Sequence, residues 1–304
     1  MTTDHHPIDL EQKIARIGNL RVHLSQEYEA SQNISWLGQE LPESSLQAAW
    51  MRLSEDDLPM NPRLVGKPGV GKTTLAVGVA RGLGLPVYLM QGTSDTRPDD
   101  LIITPVITDG KQVSYVASPL VTAMLVGGVC VLDEGNRMSE KSWASLAPLL
   151  DHRRYVDSVI AGVRIAAHPE FRFVTTMNDD ASVFDLPEYI QSRLAPQIFL
   201  DFADPETEKK IIQSVVPYTS ESLLEILVQF LATSHHYQNT ISVRDGIQVA
   251  KYAIRLQQSR NLTVSQALME SIISILGEEA LKYYPPDPDP TSGINSKRGS
   301  LKPV

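Results

Sequence analysis

The residues best equipped for chemistry are Gly66-Lys67-Pro68-Gly69-Val70-Gly71-Lys72-Thr73, which fit the pattern G-x-x-x-x-G-K-[ST] and are followed by Thr74. Glycines at these spacings let the backbone curl so that several N–H groups and a helix N-terminus converge on one phosphate. In such a loop Lys72 reaches the β- and γ-phosphates and Thr73 ligates magnesium. The pattern lies between the apolar pair Leu64-Val65 and a helical run from Thr74 to Leu83, the strand-loop-helix context it requires. A triphosphate needs a second metal anchor at the end of a neighbouring strand. Val129-Cys130-Val131-Leu132-Asp133-Glu134 supplies one, with Asp133 placed to hold magnesium and Glu134 to orient and deprotonate an attacking water. No Asn-Lys-x-Asp string of the guanine-reading kind occurs, so adenine is the expected base and ATP with magnesium the expected ligands.

These residues need a scaffold. Short apolar runs, Val87 to Met90, Val129 to Leu132, Phe171 to Met177 and Gln197 to Leu200, alternate with helical patterns between about residues 61 and 203. Buried strands separated by helices predict a parallel α/β sheet flanked by helices. Two segments, 103–117 around Asp109-Gly110 and 155–167 around Ala161-Gly162, read as hairpin inserts. From Asp204-Pro205-Glu206 onward strand signals stop, and helical periodicity over residues 204–284 predicts a small all-α domain with Ser220 and Ser242 as caps. Residues 1–60 read as a weakly specified helical segment, and residues 285–304, rich in Pro, Asp and Ser, as a disordered tail. Trp36, Trp50 and Trp143 read as core or interface anchors.

Composition narrows the partners. The 304 residues suffice for two domains. Lys+Arg 27 against Asp+Glu 36 leaves a formal charge of -9, which disfavours nucleic acid as a partner. One cysteine, Cys130, allows no internal disulfide. Neither a leader peptide nor a run long enough to span a bilayer is evident, so a cytoplasmic location is expected.

Taken in order, the strings GKPGVGKTTLA, SDTRPDDL, SPL, VLDEGNRMSE, LLDHRRY, HPEFRFVTTMN and SVRDG resemble the AAA+ ATPases, and within them the MoxR-like group, over about residues 60–280. The resemblance implies roles that spacing alone does not give. Asn178 matches the first sensor, Arg193 the arginine finger that reaches into a neighbouring subunit's site, and Arg244 the second sensor. The finger segment reads Ser192-Arg193-Leu194-Ala195-Pro196, where the family pattern has phenylalanine after the arginine, so Arg153 or Arg154 is an alternative finger. Lys111 or Tyr115 of the first hairpin would grip a client. The implied function is a ring ATPase, a hexamer, that remodels, activates or inserts a cofactor into another protein, paired with a partner that carries a von Willebrand factor A domain. An ATP-dependent switch with little turnover, a kinase and a DNA-acting motor are the competing readings.

Overall fold

The computed structural model describes residues 6–29, 36–108, 112–179, 186–237 and 240–285. The tail read as disordered therefore lies outside the described residues apart from Pro285, as do the Asp109-Gly110 turn and Lys111. The chain forms two compact units that divide between Ala203 and Asp204.

The first unit is built on a five-stranded parallel sheet. Its strands, numbered by chain order, are β4 (Arg63–Gly66), β5 (Val87–Gln91), β8 (Val129–Asp133), β11 (Arg172–Asn178) and β12 (Gln197–Leu200), in the spatial order β12-β4-β11-β8-β5. Strands buried on both faces must be apolar throughout, and β8 and β11 are buried along nearly their whole length. Alternate residues feed two cores. Val129, Val131 and Val174 pack with Leu46 and Trp50 of α1 (Glu40–Trp50) and with Leu75, Ala76 and Val79 of α2 (Lys72–Gly82). On the other face Cys130, Leu132 and Phe173 pack with Leu120 and Met124 of α3 (Pro119–Val126) and with Trp143 of α4 (Glu140–Leu146). Ser118 and Ser139 cap α3 and α4 through their side chains. Register aligns the strand ends: Gly66 lies opposite both Asn178 and Leu200, and Gln91 opposite Asp133.

Both expected inserts are hairpins, β6 (Ile103–Thr108) with β7 (Gln112–Ala117), and β9 (Tyr155–Ser158) with β10 (Val163–Ala166). The N-terminal segment departs from expectation. Among its described residues only α1 is helical, while β1 (Ile8–Asp9), β2 (Ile14–Ile17) and β3 (Leu20–His23) are strands. The physical reason is a two-residue alternation: Ala15, Ile17 and Val22 are buried, whereas Arg16, Arg21 and His23 face outward, around a turn at Gly18 with φ +59°. β3 pairs in parallel with β7, so the first insert belongs to a second sheet ordered β1-β2-β3-β7-β6. Tyr115 is consequently half-buried against the core.

The second unit contains α6 (Pro205–Val215), α7 (Glu221–His236), α8 (Val243–Arg260) and α9 (Val264–Leu276). Asp204, Ser220, Ser242 and Thr263 each cap a helix, the last two within capping boxes. Leu223, Leu227, Phe230, Val249, Ala253, Leu268 and Ile272 form its core. No helix among the described residues is long and apolar enough to cross a membrane.

Candidate nucleotide site

The loop from Gly66 to Lys72 joins β4 to α2. Gly69 and Gly71 take φ of +80° and +96°, a region that glycine enters without steric cost. At Gly66 the constraint is space: a Cβ would stand 2.1 Å from the carbonyl oxygen of Leu200. Lys72, 7% exposed, donates from Nζ to the carbonyl oxygens of Gly66 and Lys67, each at 2.8 Å. Its ammonium is thereby held over the loop it serves. Pro68 is exposed, while Val70, Thr73 and Thr74 are half-buried. The Trp36 ring packs on this loop, close enough that a Cβ at Gly71 would meet it at 3.1 Å.

Across from the loop, the Thr73 hydroxyl donates to Oδ1 of Asp133 at 2.7 Å. A hydroxyl and a carboxylate so close form the hard-oxygen pair that suits magnesium alongside phosphate oxygens. Among the described residues no cluster of three or more His, Cys, Asp or Glu side chains offers another metal site. Glu134 follows at φ +54°, a left-handed conformation that swings its side chain out of the strand direction. Its carboxylate meets three donors: Asn178 Nδ2 at 3.4 Å from Oε1, Gln91 Nε2 at 2.7 Å from Oε2, and Arg137 Nε at 3.2 Å from Oε2.

Thr176, Gln91 and Arg137 are absent from the sequence-derived set. Thr176 donates to Asp133 Oδ1 and accepts from the backbone N–H of Glu134 at 3.0 Å, so one hydroxyl fixes both acids. Its signal was present, because Thr176 and Asn178 are two apart on one strand and share a face. Gln91 ends β5 and reaches Glu134 only because β5 neighbours β8, a pairing between residues far apart in sequence. Close packing supports this group: a Cβ on Gly135 would stand 2.2 Å from Thr175 Oγ1, and Trp143 Nε1 donates to the Gly135 carbonyl at 3.0 Å.

The arginines lie elsewhere. Arg193 follows α5 (Glu188–Gln191), and its Nε reaches Asp151 Oδ2 at 3.4 Å while Nη1 donates to the Tyr189 carbonyl. Arg63, the first residue of β4, donates to the Gln191 carbonyl at 3.2 Å. Arg193 therefore belongs to the starting end of β4, and Gly66 to its finishing end, roughly 10 Å apart at the rise of a strand. Arg153 grips Asp151 with two nitrogens, Nε to Oδ1 at 3.0 Å and Nη2 to Oδ2 at 2.8 Å. The bonds from Arg153, with Arg193 adding to them, hold the Asp151 carboxyl well below the usual carboxylate range. Arg154 is corrected as a candidate finger: it is buried, turned inward at φ +53°, and donates to the Phe171 carbonyl at 2.7 Å. Arg244 sits in the first turn of α8 in the second unit, and its neighbour Asp245 is committed to the Ser242 cap.

A parallel sheet ordered β12-β4-β11-β8-β5, with a glycine loop and lysine leading into a helix and two acids ending an adjacent strand, defines a P-loop nucleoside-triphosphatase domain. Residues 63–194 match the family model of the AAA domain, dynein-related subfamily. Protein CbbQ of Hydrogenophilus thermoluteolus is 29% identical over 171 residues, covering 55% of this chain and 63% of that protein. The gas vesicle ATPase GvpN1 of Halobacterium salinarum is 26% identical over 240 residues, covering 69% of this chain and 65% of its own length. The chain thus spans a little under two thirds of either relative. A variant of Thermotoga maritima RuvB superposes with a TM-score of 0.56 over 81% of this chain and 75% of that one, at 18% identity, a likeness of fold.

Proposed function

We propose that this chain binds ATP with magnesium at Gly66, Pro68, Gly69, Val70, Gly71, Lys72, Thr73 and Thr74, and hydrolyses it as a subunit of a homo-oligomeric ring, a hexamer, that remodels a client protein. The observation that carries the reading is the approach of Asn178 Nδ2 to Glu134 Oε1, 3.4 Å, at the strand ends that also hold Asp133 and the phosphate loop. A nucleotide binder without turnover has no use for a carboxylate and an amide converging beside the phosphates. Glu134 takes the proton of an attacking water, and Asn178 orients that water. Lys72 and the loop N–H groups bind the phosphates. Magnesium, held by Thr73 and Asp133, would neutralise charge on the β- and γ-oxygens. The Trp36 ring lies against Gly71 and its Cβ and backbone against Gly78, which gives the loop an apolar neighbour.

Arg193 stands a strand length from its own phosphate loop, which supports action on a neighbouring copy's nucleotide. Assembly would then be required for turnover. In this reading Arg244 serves as the second sensor, and a partner with a von Willebrand factor A domain presents the client, both on the strength of the family resemblance. A cytoplasmic setting fits the same reading.

The test is the ATPase rate per subunit across a range of protein concentrations, with mass followed by light scattering with and without ATP. A rate per subunit that rises with assembly is expected. A flat rate from a monomer would replace the ring motor with a switch or kinase.

A further inference from the structure

We propose that Arg153 is a second trans-acting arginine, held beside Arg193 by Asp151 as a positioning residue, so that a neighbouring copy's triphosphate meets a two-guanidinium unit. The inference rests on the ring reading above and deepens it.

The geometry is specific. Asp151 accepts from Arg153 through Nε, Nη2 and the backbone N–H, the last at 3.0 Å, and from Arg193 through Nε at 3.4 Å. Both guanidiniums meet at one atom, Oδ2. The carboxylate side chain is 15% exposed, whereas Arg153 and Arg193 are 42% and 29% exposed, so the acid lies beneath and the cations face outward. Arg153 has Tyr155 as a further side-chain hydrogen-bond partner, and Arg193 also donates from Nη1 to the Tyr189 carbonyl. Two cations on one anion leave a net charge of +1 on guanidiniums that are more exposed than the acid between them. By contrast, the exposed pair Arg164 and Asp157 on the second hairpin is balanced one to one, with both acid oxygens matched to one guanidinium.

Backbone conformation supports the assignment. Arg154 turns inward at φ +53° to the Phe171 carbonyl, whereas the consecutive Arg153 is exposed. Arg153 is also braced by the Tyr155 ring, 5.9 Å from its guanidinium carbon. A phosphoryl group in transfer spreads charge over three equatorial oxygens, more acceptors than one guanidinium fork satisfies. Asp151 touches neither substrate nor product in this arrangement and acts only by fixing the two forks.

The test uses the full chain at concentrations where it assembles. Arg153→Ala is expected to keep ATP affinity and to lower kcat by about 10-fold or more, approaching the scale of a lost trans-acting arginine. Mixing it with Glu134→Gln subunits, which carry both arginines, is expected to restore part of the rate. Asp151→Asn is expected to lower kcat with KM unchanged. A wild-type kcat for Arg153→Ala, or a loss that mixing does not restore, overturns the proposal and makes the Arg153–Asp151 pair structural. A rate independent of assembly, or a wild-type rate for Arg193→Ala, overturns the ring reading itself and this inference with it. Arg153→Lys separates charge from fork: partial retention of kcat is expected, and a fully wild-type rate would refute the need for a planar fork.

Discussion

Gln91 donates from Nε2 to Oε2 of Glu134 at 2.7 Å, across two neighbouring strands whose last residues lie in register. The carboxylate assigned as general base is thus engaged by an amide on one oxygen and approached by Asn178 on the other. The Gln91 bond restrains the carboxylate that, in the proposed reading, accepts a proton from water. Gln91→Ala is expected to raise basal kcat several-fold, whereas Glu134→Gln should retain ATP binding and lower kcat by about 100-fold or more. Steady-state ATPase assays beside nucleotide-binding titrations measure both, and a Gln91→Ala rate below wild type would show the contact to be supportive rather than restraining.

Thr176 is 1% exposed, and its hydroxyl serves both Asp133 and the Glu134 N–H. Thr176→Val keeps the shape and deletes the hydroxyl, leaving a part-buried N–H unpaired at a cost of about 1–3 kcal/mol. Weaker magnesium dependence of nucleotide binding is expected together with lower stability. Magnesium titration and urea unfolding report the two effects separately.

The two glycines that bracket the site should respond differently to a methyl group. Gly66→Ala would drive a Cβ to 2.1 Å from a backbone oxygen on β12, so the sheet or loop must shift, and loss of nucleotide binding with a lowered Tm is expected. Gly82, at the end of α2, has nothing within 4 Å of its would-be Cβ. Gly82→Ala is expected to be neutral or stabilising by about 0.5–1 kcal/mol with binding intact. Thermal melts with and without nucleotide distinguish these outcomes.

In the helical unit both carboxylate oxygens of Glu208 are buried without a hydrogen bond among the described residues, and burial, with the Asp204 carboxylate adding, pushes its pKa up from 4.5 to about 8. Between those values the folded state holds a proton that the unfolded chain has released. Stability contributed by this group is therefore full below pH 4.5 and falls as pH rises towards 8, by at most about 1.4 kcal/mol per unit. His235 Nδ1, 3.9 Å from Oε1, is the neighbouring group able to offset the ionised form. Urea unfolding between pH 5 and 8 should show this slope in the wild type and a shallower one in Glu208→Gln. Equal slopes would mean that Glu208 ionises normally.

The phosphate loop, the Asp133-Glu134 strand end and the all-α second unit were legible in the sequence because each is a local matter. Glycine spacing, an apolar run ending in acids, and Asp204, Ser220 and Ser242 as caps act within a few residues. The N-terminal strands were misread as helix although Ala15, Ile17 and Val22 alternate with outward residues, since runs of four residues carry little periodicity and gain stability only by pairing with β7, about 90 positions onward. Roles for Gln91, Arg137 and Asp151 depended on pairing across the sheet and on loop contacts, which no spacing rule encodes. That Arg154 is buried and Arg153 exposed goes with the left-handed backbone at Arg154 and its bond to the Phe171 carbonyl, neither of which a pair of consecutive arginines announces. Composition and local pattern determine which elements form and where the glycine loop and the two acids fall; strand order and register, fixed by long-range burial, decide which side chains come together beside them.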